Sequence, residues 1–411
     1  MGDAFDTGFR SFTMKTAEKQ ETGGGEGPEC AVETGRSGGG LTLMPDTPGE
    51  IPGNAQFSFL KRIPARDNAL RLRIEWPGSD VKPPPGFDYP ENANFARVLP
   101  EIIFTSEDGD EWRRMEAARA VEAGAEITLP PSPRAVWVSA GIPYFDRHLT
   151  DLAAFAEAAP DWTVRKIGES GEGRTIPAFL REPANPGVCH GCFFIQAYQH
   201  YSEWAGLQAV DALVRGVHRV PGAERFAWAV VPCLNRDALA RGWRGDRMHN
   251  GTAADPVGGG NLNRNWTVLS RPETRAAAAF LHEAAKENPP VLHALDFHMG
   301  WSTPEHSGGG LTVFKAGELP PAEARRERAF AKVFFKHVPI EDFAWEHSEM
   351  DRPNCAAWAA RTFGCIGQTV EISRFRAYDA ARNPMPVSTD YYASLGPRAA
   401  EALIHFHTPA L

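Results

Sequence analysis

Four short apolar runs in the second half of the chain each end in polar residues, and amphipathic segments separate them. The runs lie within VCHGCFFIQAY, FAWAVVPCLN, VLHALDFH and CIGQTVEIS. Apolar runs of this length that alternate with helical patterns are typical of buried strands in an α/β domain. The segment SEWAGLQAVDALVRGV is predicted to be such a helix, because its apolar residues recur at steps of three and four. The pattern predicts an α/β domain over residues 141–411.

The residues before this domain differ from it in composition and in hydrophobic pattern. Residues 1–48 include TGGGEGPECAVETGRSGGG, a Gly-rich polar segment without apolar periodicity, which predicts a disordered tail. Residues 49–140 contain short β-like runs separated by Pro, Gly and Asp clusters, without a long helical pattern between them. These residues are predicted to form a small all-β, sandwich-like domain.

The composition excludes some partners. A chain of 411 residues, 42% of them hydrophobic, has enough apolar material for a core or two. Its net charge of -9 is wrong for a nucleic-acid binder, which needs a basic surface. We find no apolar run of about 18 residues that would span a membrane, and no apolar stretch near the start that would act as a secretory signal. The sequence therefore predicts a cytoplasmic protein without nucleic-acid or membrane partners, and it leaves the oligomeric state open.

A histidine and a glutamate three residues apart follow the first apolar run, namely His200 and Glu203 in QHYSEW. Residues at this spacing near a helix start lie on the same side, close enough to share one ion. The pair alone can simply cap the helix, and His298, at the end of VLHALDFH, can be an ordinary hydrogen-bonded histidine. Together, however, two histidines and one glutamate are a ligand set of catalytic zinc, with the fourth position left for water. We therefore predict one Zn²⁺ on these three residues.

Hydrolysis of an amide also needs a base, a cation near the developing oxyanion and a group that orients the substrate. Glu371, the sole carboxylate in the uncharged strand QTVEIS, is the candidate base. Asn263 and Arg264 in NLNRNW are suited to gripping a carboxylate through an amide donor and a guanidinium fork. Arg244 and Arg247 in RGWRGDR are candidates for the cation, although surface arginines are more often only solvated charges.

Five motifs, taken in order, resemble those of the zinc metallocarboxypeptidase (funnelin) family, especially its cytosolic carboxypeptidase-like branch. They are HYSE for H-x-x-E, PCLNRDA for P-x-x-N-P-D-G, NLNRNW for D-L-N-R-N-F, DFH for D-x-H and TVE for T-x-E. The β-rich segment that ends in VWVSAGIPYFDRHL looks like the small β-sandwich that precedes the catalytic domain in the cytosolic branch. The resemblance implies a carboxypeptidase-like fold, with a mixed central sheet and helices on both faces.

The resemblance also implies the activity, which is zinc-dependent hydrolysis of the C-terminal peptide bond of peptides or proteins. It places zinc on the three predicted ligands, makes Glu371 the general base, and makes Asn263 and Arg264 the clamp for the substrate's terminal carboxylate. Arg244 corresponds to the arginine that polarises the scissile carbonyl. Arg247 is a second choice, because an insertion follows in this chain.

The sequence departs from the family in two ways that bear on the substrate and on the site. Asn261 stands where the motif D-L-N-R has aspartate, and EDFAWEHSEMDRPNCAAWAARTFG lacks the tyrosine with which many digestive members cover the substrate. The preferred C-terminal residue stays open, with Arg361, Arg374 and Arg376 as candidate counter-charges for an acidic side chain. Two other functions also stay open: an amidase or deacylase of small N-acyl amino acids, and a catalytically inactive zinc-binding module.

Overall fold

The computed structural model describes residues 31–37, 40–45, 60–75, 103–115, 118–121, 124–185, 187, 189–200, 203–241, 261–300, 309–342, 344–374 and 376–408. In its N-terminal part, nine strands form two sheets, with the orders β1-β2-β4-β8-β7 and β3-β9-β5-β6. These strands are β1 Ala31–Ser37, β2 Gly40–Pro45, β3 Leu60–Ile63, β4 Leu70–Glu75, β5 Ile103–Ser106, β6 Arg113–Arg114, β7 Arg119–Val121, β8 Gly124–Leu129 and β9 Val136–Ala140. Buried residues of both sheets share one apolar cluster, and the predicted β-rich region is therefore confirmed.

Residues 31–45 differ from the predicted disordered tail. β1 and β2 form an antiparallel hairpin, and β2 also pairs in parallel with β4. In that pairing Leu41 lies opposite Leu72, and both side chains are buried. The local composition is glycine-rich, but Leu41 gains its burial from a strand distant in sequence, which no local pattern shows. The tail prediction is therefore wrong for these residues, and the rest of it lies outside the described ranges.

An eight-stranded mixed sheet forms the centre of the remaining part of the protein, in the order β10-β11-β13-β12-β14-β17-β15-β16. Its strands, with a small separate pair β18 and β19, are β10 Trp162–Glu169, β11 Thr175–Arg181, β12 Cys192–Ala197, β13 Ala227–Val231, β14 Val291–Met299, β15 Gly310–Phe314, β16 Ala344–Ser348, β17 Ile366–Ile372, β18 Ala377–Tyr378 and β19 Pro384–Met385. β13, β12, β14 and β17 are parallel neighbours, whereas β10, β11 and β15 pair antiparallel with their inner neighbours. The carboxyl ends of β12, β14 and β17 consequently meet at one edge.

Helices cover both faces of this sheet, as predicted. They are α1 Asp146–Ala158, α2 Trp204–Gly216, α3 Arg236–Arg241, α4 Pro272–Glu287, α5 Pro321–His337, α6 Cys355–Phe363 and α7 Thr389–His407. α2 packs on β14 and α7, whereas α4 packs on β10 to β13 and α6 packs on β14 and β17. Because side chains alternate along a strand, Phe193 and Ile195 belong to one core and Cys192 and Phe194 to the other. Among the described helices, none is long and apolar enough to cross a membrane.

Candidate metal centre

The predicted ligands meet at the edge where the parallel strands end. His200 and Glu203 lie between the end of β12 and the start of α2, and His298 is the second-last residue of β14. β12 and β14 are adjacent and parallel, and ligands gather at the carboxyl ends of such strands. Sequence position and sheet topology therefore bring three residues from two segments into one crevice.

The three side chains converge on a common point. His298 Nδ1 lies 2.8 Å from Glu203 Oε2, and His200 Nδ1 lies 3.0 Å from Glu203 Oε1. The two Nδ1 atoms are 3.2 Å apart. Among the described residues, this trio alone brings three histidine, cysteine or carboxylate ligand atoms within 4.8 Å of one another.

This geometry fits zinc. Ligands that sit 2.0–2.2 Å from a tetrahedral zinc are about 3.3 Å from one another. The separations of 2.8 Å and 3.0 Å are shorter than that value and the separation of 3.2 Å is close to it, so a small outward shift of the side chains would make room for the ion. Both histidines also present the same nitrogen, Nδ1, towards the shared point.

A strained residue turns the chain from β12 towards the ligands. Tyr198 has a φ of 57°, a left-handed conformation that is uncommon for a bulky residue and that clusters at functional sites. Asn235, in the segment between β13 and α3, holds this turn through two hydrogen bonds. Its backbone N–H donates to the Tyr198 carbonyl at 2.9 Å, and its side-chain Nδ2 donates to the Gln199 carbonyl at 3.2 Å. The asparagine of the PCLNRDA motif thus positions the segment that carries His200.

The charges of the trio stabilise one another. Burial on its own lowers the pKa of His298, but Asp296 and Glu203 raise that pKa well above its usual value. Burial likewise raises the pKa of Glu203, but His200 and His298 lower it far below the usual value. Glu203 therefore stays ionised although it is only 1% exposed, as a cation-binding centre requires.

Glu371, the predicted base, lies directly opposite His298 on β17. Residues paired across parallel strands project from the same face, and adjacent strands are about 4.8 Å apart. The side chain is half-buried. Burial raises the pKa of Glu371 to about 7; the positive charges of His298 and Arg352 oppose this shift, and the negative charges of Glu203 and Asp296 add to it. Glu371 is thus a carboxyl group placed next to the trio.

Asn263 and Arg264, the predicted clamp, occupy different environments. Asn263 is buried, with its Oδ1 accepting the Cys355 N–H at 3.1 Å and its Nδ2 lying 3.3 Å from His298 Nε2. Arg264 is half-buried and donates through Nη1 to the Asn263 carbonyl at 2.7 Å. Burial and Arg352 lower the pKa of Arg264 to about 10, against the attraction of Glu371, so the guanidinium stays charged at neutral pH. The charges of Arg264 and Glu371 therefore attract each other, whereas the Asn263 amide is held inside the protein.

Sequence reasoning missed one further cation. Burial lowers the pKa of Arg352, against the attraction of Glu349 and Glu371, and Arg352 in turn acts on Arg264. It lies in a loop before α6, where an arginine is normally only solvated, so the sequence carries no signal for it. Arg361, a candidate counter-charge, contacts this loop: its Nη1 donates to the carbonyls of Met350 and, at 3.1 Å, Arg352. Arg244 and Arg247 lie outside the described residues.

Comparison with known proteins supports this interpretation of the site. A family model described as zinc carboxypeptidase matches residues 149–300, a range that contains all three candidate ligands and both clamp residues. The resemblance to zinc carboxypeptidases is thereby confirmed, and so is zinc as the metal of the matching family. No curated protein matches the chain.

Solved structures share the fold over almost the whole chain. A metallo-carboxypeptidase from Burkholderia cenocepacia is 18% identical with a TM-score of 0.70, and the match covers 92% of this chain and 96% of that one. A metallo-carboxypeptidase from Pseudomonas aeruginosa, in complex with (2-guanidinoethylmercapto)succinic acid, is 17% identical with a TM-score of 0.65, over 91% and 96% of the two chains. At these identities the likeness concerns the fold, and the predicted carboxypeptidase-like fold class is confirmed.

Proposed function

We propose that this chain, which carries a zinc carboxypeptidase domain, hydrolyses the last peptide bond of peptides or proteins that end in a free carboxylate. One observation carries the proposal: the ligand trio stands next to Glu371, which lies in register with His298 on the adjacent strand. A zinc-binding module without catalysis would need the trio but not a carboxyl group at this position. The combination favours hydrolysis.

The trio and Glu371 have separate tasks. Zinc held by His200, Glu203 and His298 would lower the pKa of a water molecule and polarise the scissile carbonyl. Glu371 accepts the proton of the attacking water while a bond forms between the water oxygen and the carbonyl carbon. The same carboxyl group then gives the proton to the leaving nitrogen as the carbon–nitrogen bond breaks. Glu371 is suited to both steps because it is a half-buried group that is not one of the ligands.

Arg264 is the proposed grip on the substrate's C-terminal carboxylate. A guanidinium has five N–H donors, so the one bond to the Asn263 carbonyl is compatible with a bidentate grip on a carboxylate. Its charge and that of Glu371 attract each other, which agrees with an exopeptidase, because the substrate's carboxylate is only one residue away from the scissile bond. The neighbour from Pseudomonas aeruginosa, solved with a succinic acid derivative, supports a carboxylate ligand in this fold. Asn263 instead supports Arg264 from within the protein.

The direct test is a panel of peptides that differ only at the C-terminal residue, each prepared with a free and with an amidated C-terminus. Mass spectrometry of digests with the zinc-loaded protein should show loss of one residue from free-acid peptides and much slower loss from amidated ones. A zinc-loaded protein that leaves every peptide intact but hydrolyses N-acyl amino acids would establish the amidase alternative instead.

A further inference from the structure

The two histidine ligands have different polar partners behind them. His200 Nε2 lies 3.0 Å from the amide oxygen Oδ1 of Asn261, and His298 Nε2 lies 2.9 Å from the carboxylate oxygen Oδ2 of Asp296. When a metal ion replaces the proton at Nδ1, an oxygen acceptor at Nε2 keeps the remaining ring proton there and leaves the Nδ1 lone pair for the ion. Both rings would therefore bind the ion in the same tautomer, one supported by a neutral amide and one by an anion.

Asp296 is held by hydrogen bonds to His298 and to two glutamines. It is 1% exposed, and it accepts hydrogen bonds from Gln199 Nε2 at 2.5 Å and Gln196 Nε2 at 3.2 Å. The Gln199 oxygen accepts a hydrogen bond from Trp266 Nε1 at 2.7 Å. Gln196, Gln199 and Trp266 are each 0% exposed. A fully buried chain of hydrogen bonds thus runs from Trp266 through Gln199 and Asp296 to His298.

We propose that Asp296 is the positioning residue that holds His298 in its metal-binding orientation, and that Gln199 and Trp266 hold Asp296 in turn. This inference rests on the proposed function, because it concerns the same metal centre. A hydrogen bond to a carboxylate is roughly twice as strong as one between neutral groups, so Asp296 should contribute more than Asn261. In this chain the partner observed behind the ligand on the strand is the anion Asp296, whereas the partner observed behind the ligand after β12 is the amide of Asn261.

The experiment measures zinc affinity by competition with a chelating dye, in wild-type protein and in variants shown to be folded by circular dichroism. Asp296→Asn keeps the shape but removes the charge, and it should weaken zinc binding by about 10- to 100-fold. Asn261→Asp adds a charge behind the other histidine and should tighten zinc binding. Asp151→Asn, at an exposed position of α1, is the matched control and should bind zinc as wild type does.

A positioning role differs from a general structural defect in how turnover responds to the metal. Turnover of Asp296→Asn should be low at limiting zinc and should return towards wild type when zinc is saturating, with the Michaelis constant unchanged. A damaged site would stay slow at every zinc concentration, and that result would contradict the proposal.

Trp266→Phe keeps the proposal testable if Asp296→Asn does not fold. This change removes the indole N–H that fixes Gln199 but keeps an aromatic ring, and it should weaken zinc binding by roughly 2- to 10-fold. Wild-type affinity in Trp266→Phe, together with wild-type affinity in any folded Asp296→Asn, would overturn the inference and leave the proposed function intact. A wild-type protein that binds no zinc would overturn the proposed function, and the inference with it.

Discussion

His298 and His200 both direct Nδ1 to the candidate metal centre, but His298 lies in a strand and His200 lies in a connecting segment. His298 is 2% exposed and lies within β14, between two parallel strands of the central sheet. His200 is half-buried, lies beyond the end of β12 and contacts Asn261, at the start of a short 3₁₀ turn. The strand half of the centre, which comprises His298 on β14 and its neighbours on β17, thus has a strand on each side. The segment half, which comprises His200 and the residues around Asn261, consists of connecting segments.

This difference separates two tasks. The strand half also contains Glu371 and Asp296, the proposed base and the proposed positioning residue. The segment half leads through Asn261 directly to Arg264, the proposed binding residue for the substrate's carboxylate. Rigid strands suit chemistry that needs exact distances, whereas connecting segments tolerate the variation that different substrates require. Changes in the strand half should therefore affect the metal and turnover, and changes near Arg264 should affect substrate affinity.

The largest expected effect is the loss of either histidine. His298→Ala and His200→Ala should both abolish zinc binding at neutral pH, because two remaining ligands hold a catalytic zinc poorly. His298→Ala should also lower the free energy of unfolding of the metal-free protein by about 1–3 kcal/mol more than His200→Ala, because it leaves buried carboxylates without their imidazole partner.

Elemental analysis and urea denaturation measure these two effects, with the exposed His218→Ala as control. Full zinc occupancy in both ligand variants would refute the site assignment. Equal free energies of unfolding for His298→Ala and His200→Ala would show that the strand half and the segment half do not differ in their contribution to stability.

Arg264→Ala should change substrate affinity much more than the metal. Loss of a charged hydrogen-bond partner costs about 1.5–3 kcal/mol, so the Michaelis constant for free-acid peptides should rise by roughly 10- to 150-fold. The corresponding rise for amidated peptides should be small, and zinc content should stay the same. Steady-state kinetics on paired peptides measures this difference, with the exposed Arg275→Ala as control. An equal rise for both peptide forms would show that Arg264 does not bind the carboxylate.

Gly206 of α2 packs against the backbone of β14 beside His298, and its substitution should have the smallest of these effects. A Cβ atom at this position of α2 would lie 2.8 Å from the carbonyl oxygen of Phe297, the residue before His298. Gly206→Ala should push α2, and with it Glu203, away from β14. Overpacking of this kind costs about 1–3 kcal/mol, measurable by urea denaturation together with weaker zinc binding. The exposed Gly187→Ala should change neither property, and a stable Gly206→Ala with wild-type zinc affinity would show that the two halves are not coupled here.

The candidate ligands could be predicted because each lies in a short local pattern at the end of a strand or the start of a helix. The sequence around His200, Glu203 and His298 indicates both a metal-binding residue type and a position at a strand end or helix start. The same holds for Glu371, whose charge stands out in an apolar strand. Local sequence is sufficient wherever the functional residue and its structural context lie in the same ten residues.

The supporting hydrogen bonds could not be predicted in this way, although Asp296 itself lies in the motif DFH. The hydrogen bonds of Asp296, Gln199 and Trp266 join segments that are far apart in sequence, and nothing in one segment indicates the other. The inward orientation of Asn263 depends on the backbone N–H of Cys355 at the start of α6, which the motif N-L-N-R does not contain. The strands of residues 31–45 were missed for the same reason, since β4 supplies the pairing of β2.

The most direct test of the central claim is the turnover of zinc-loaded Glu371→Gln on a free-acid peptide. The amide keeps the size of the side chain but cannot accept a proton from water, and general-base participation is typically worth about 10²- to 10⁴-fold. We expect a loss of turnover of at least that size, with one zinc per chain as in wild type, and wild-type turnover in the exposed control Glu323→Gln. Hydrolysis by Glu371→Gln at the wild-type rate would contradict the proposed mechanism, whatever the zinc content.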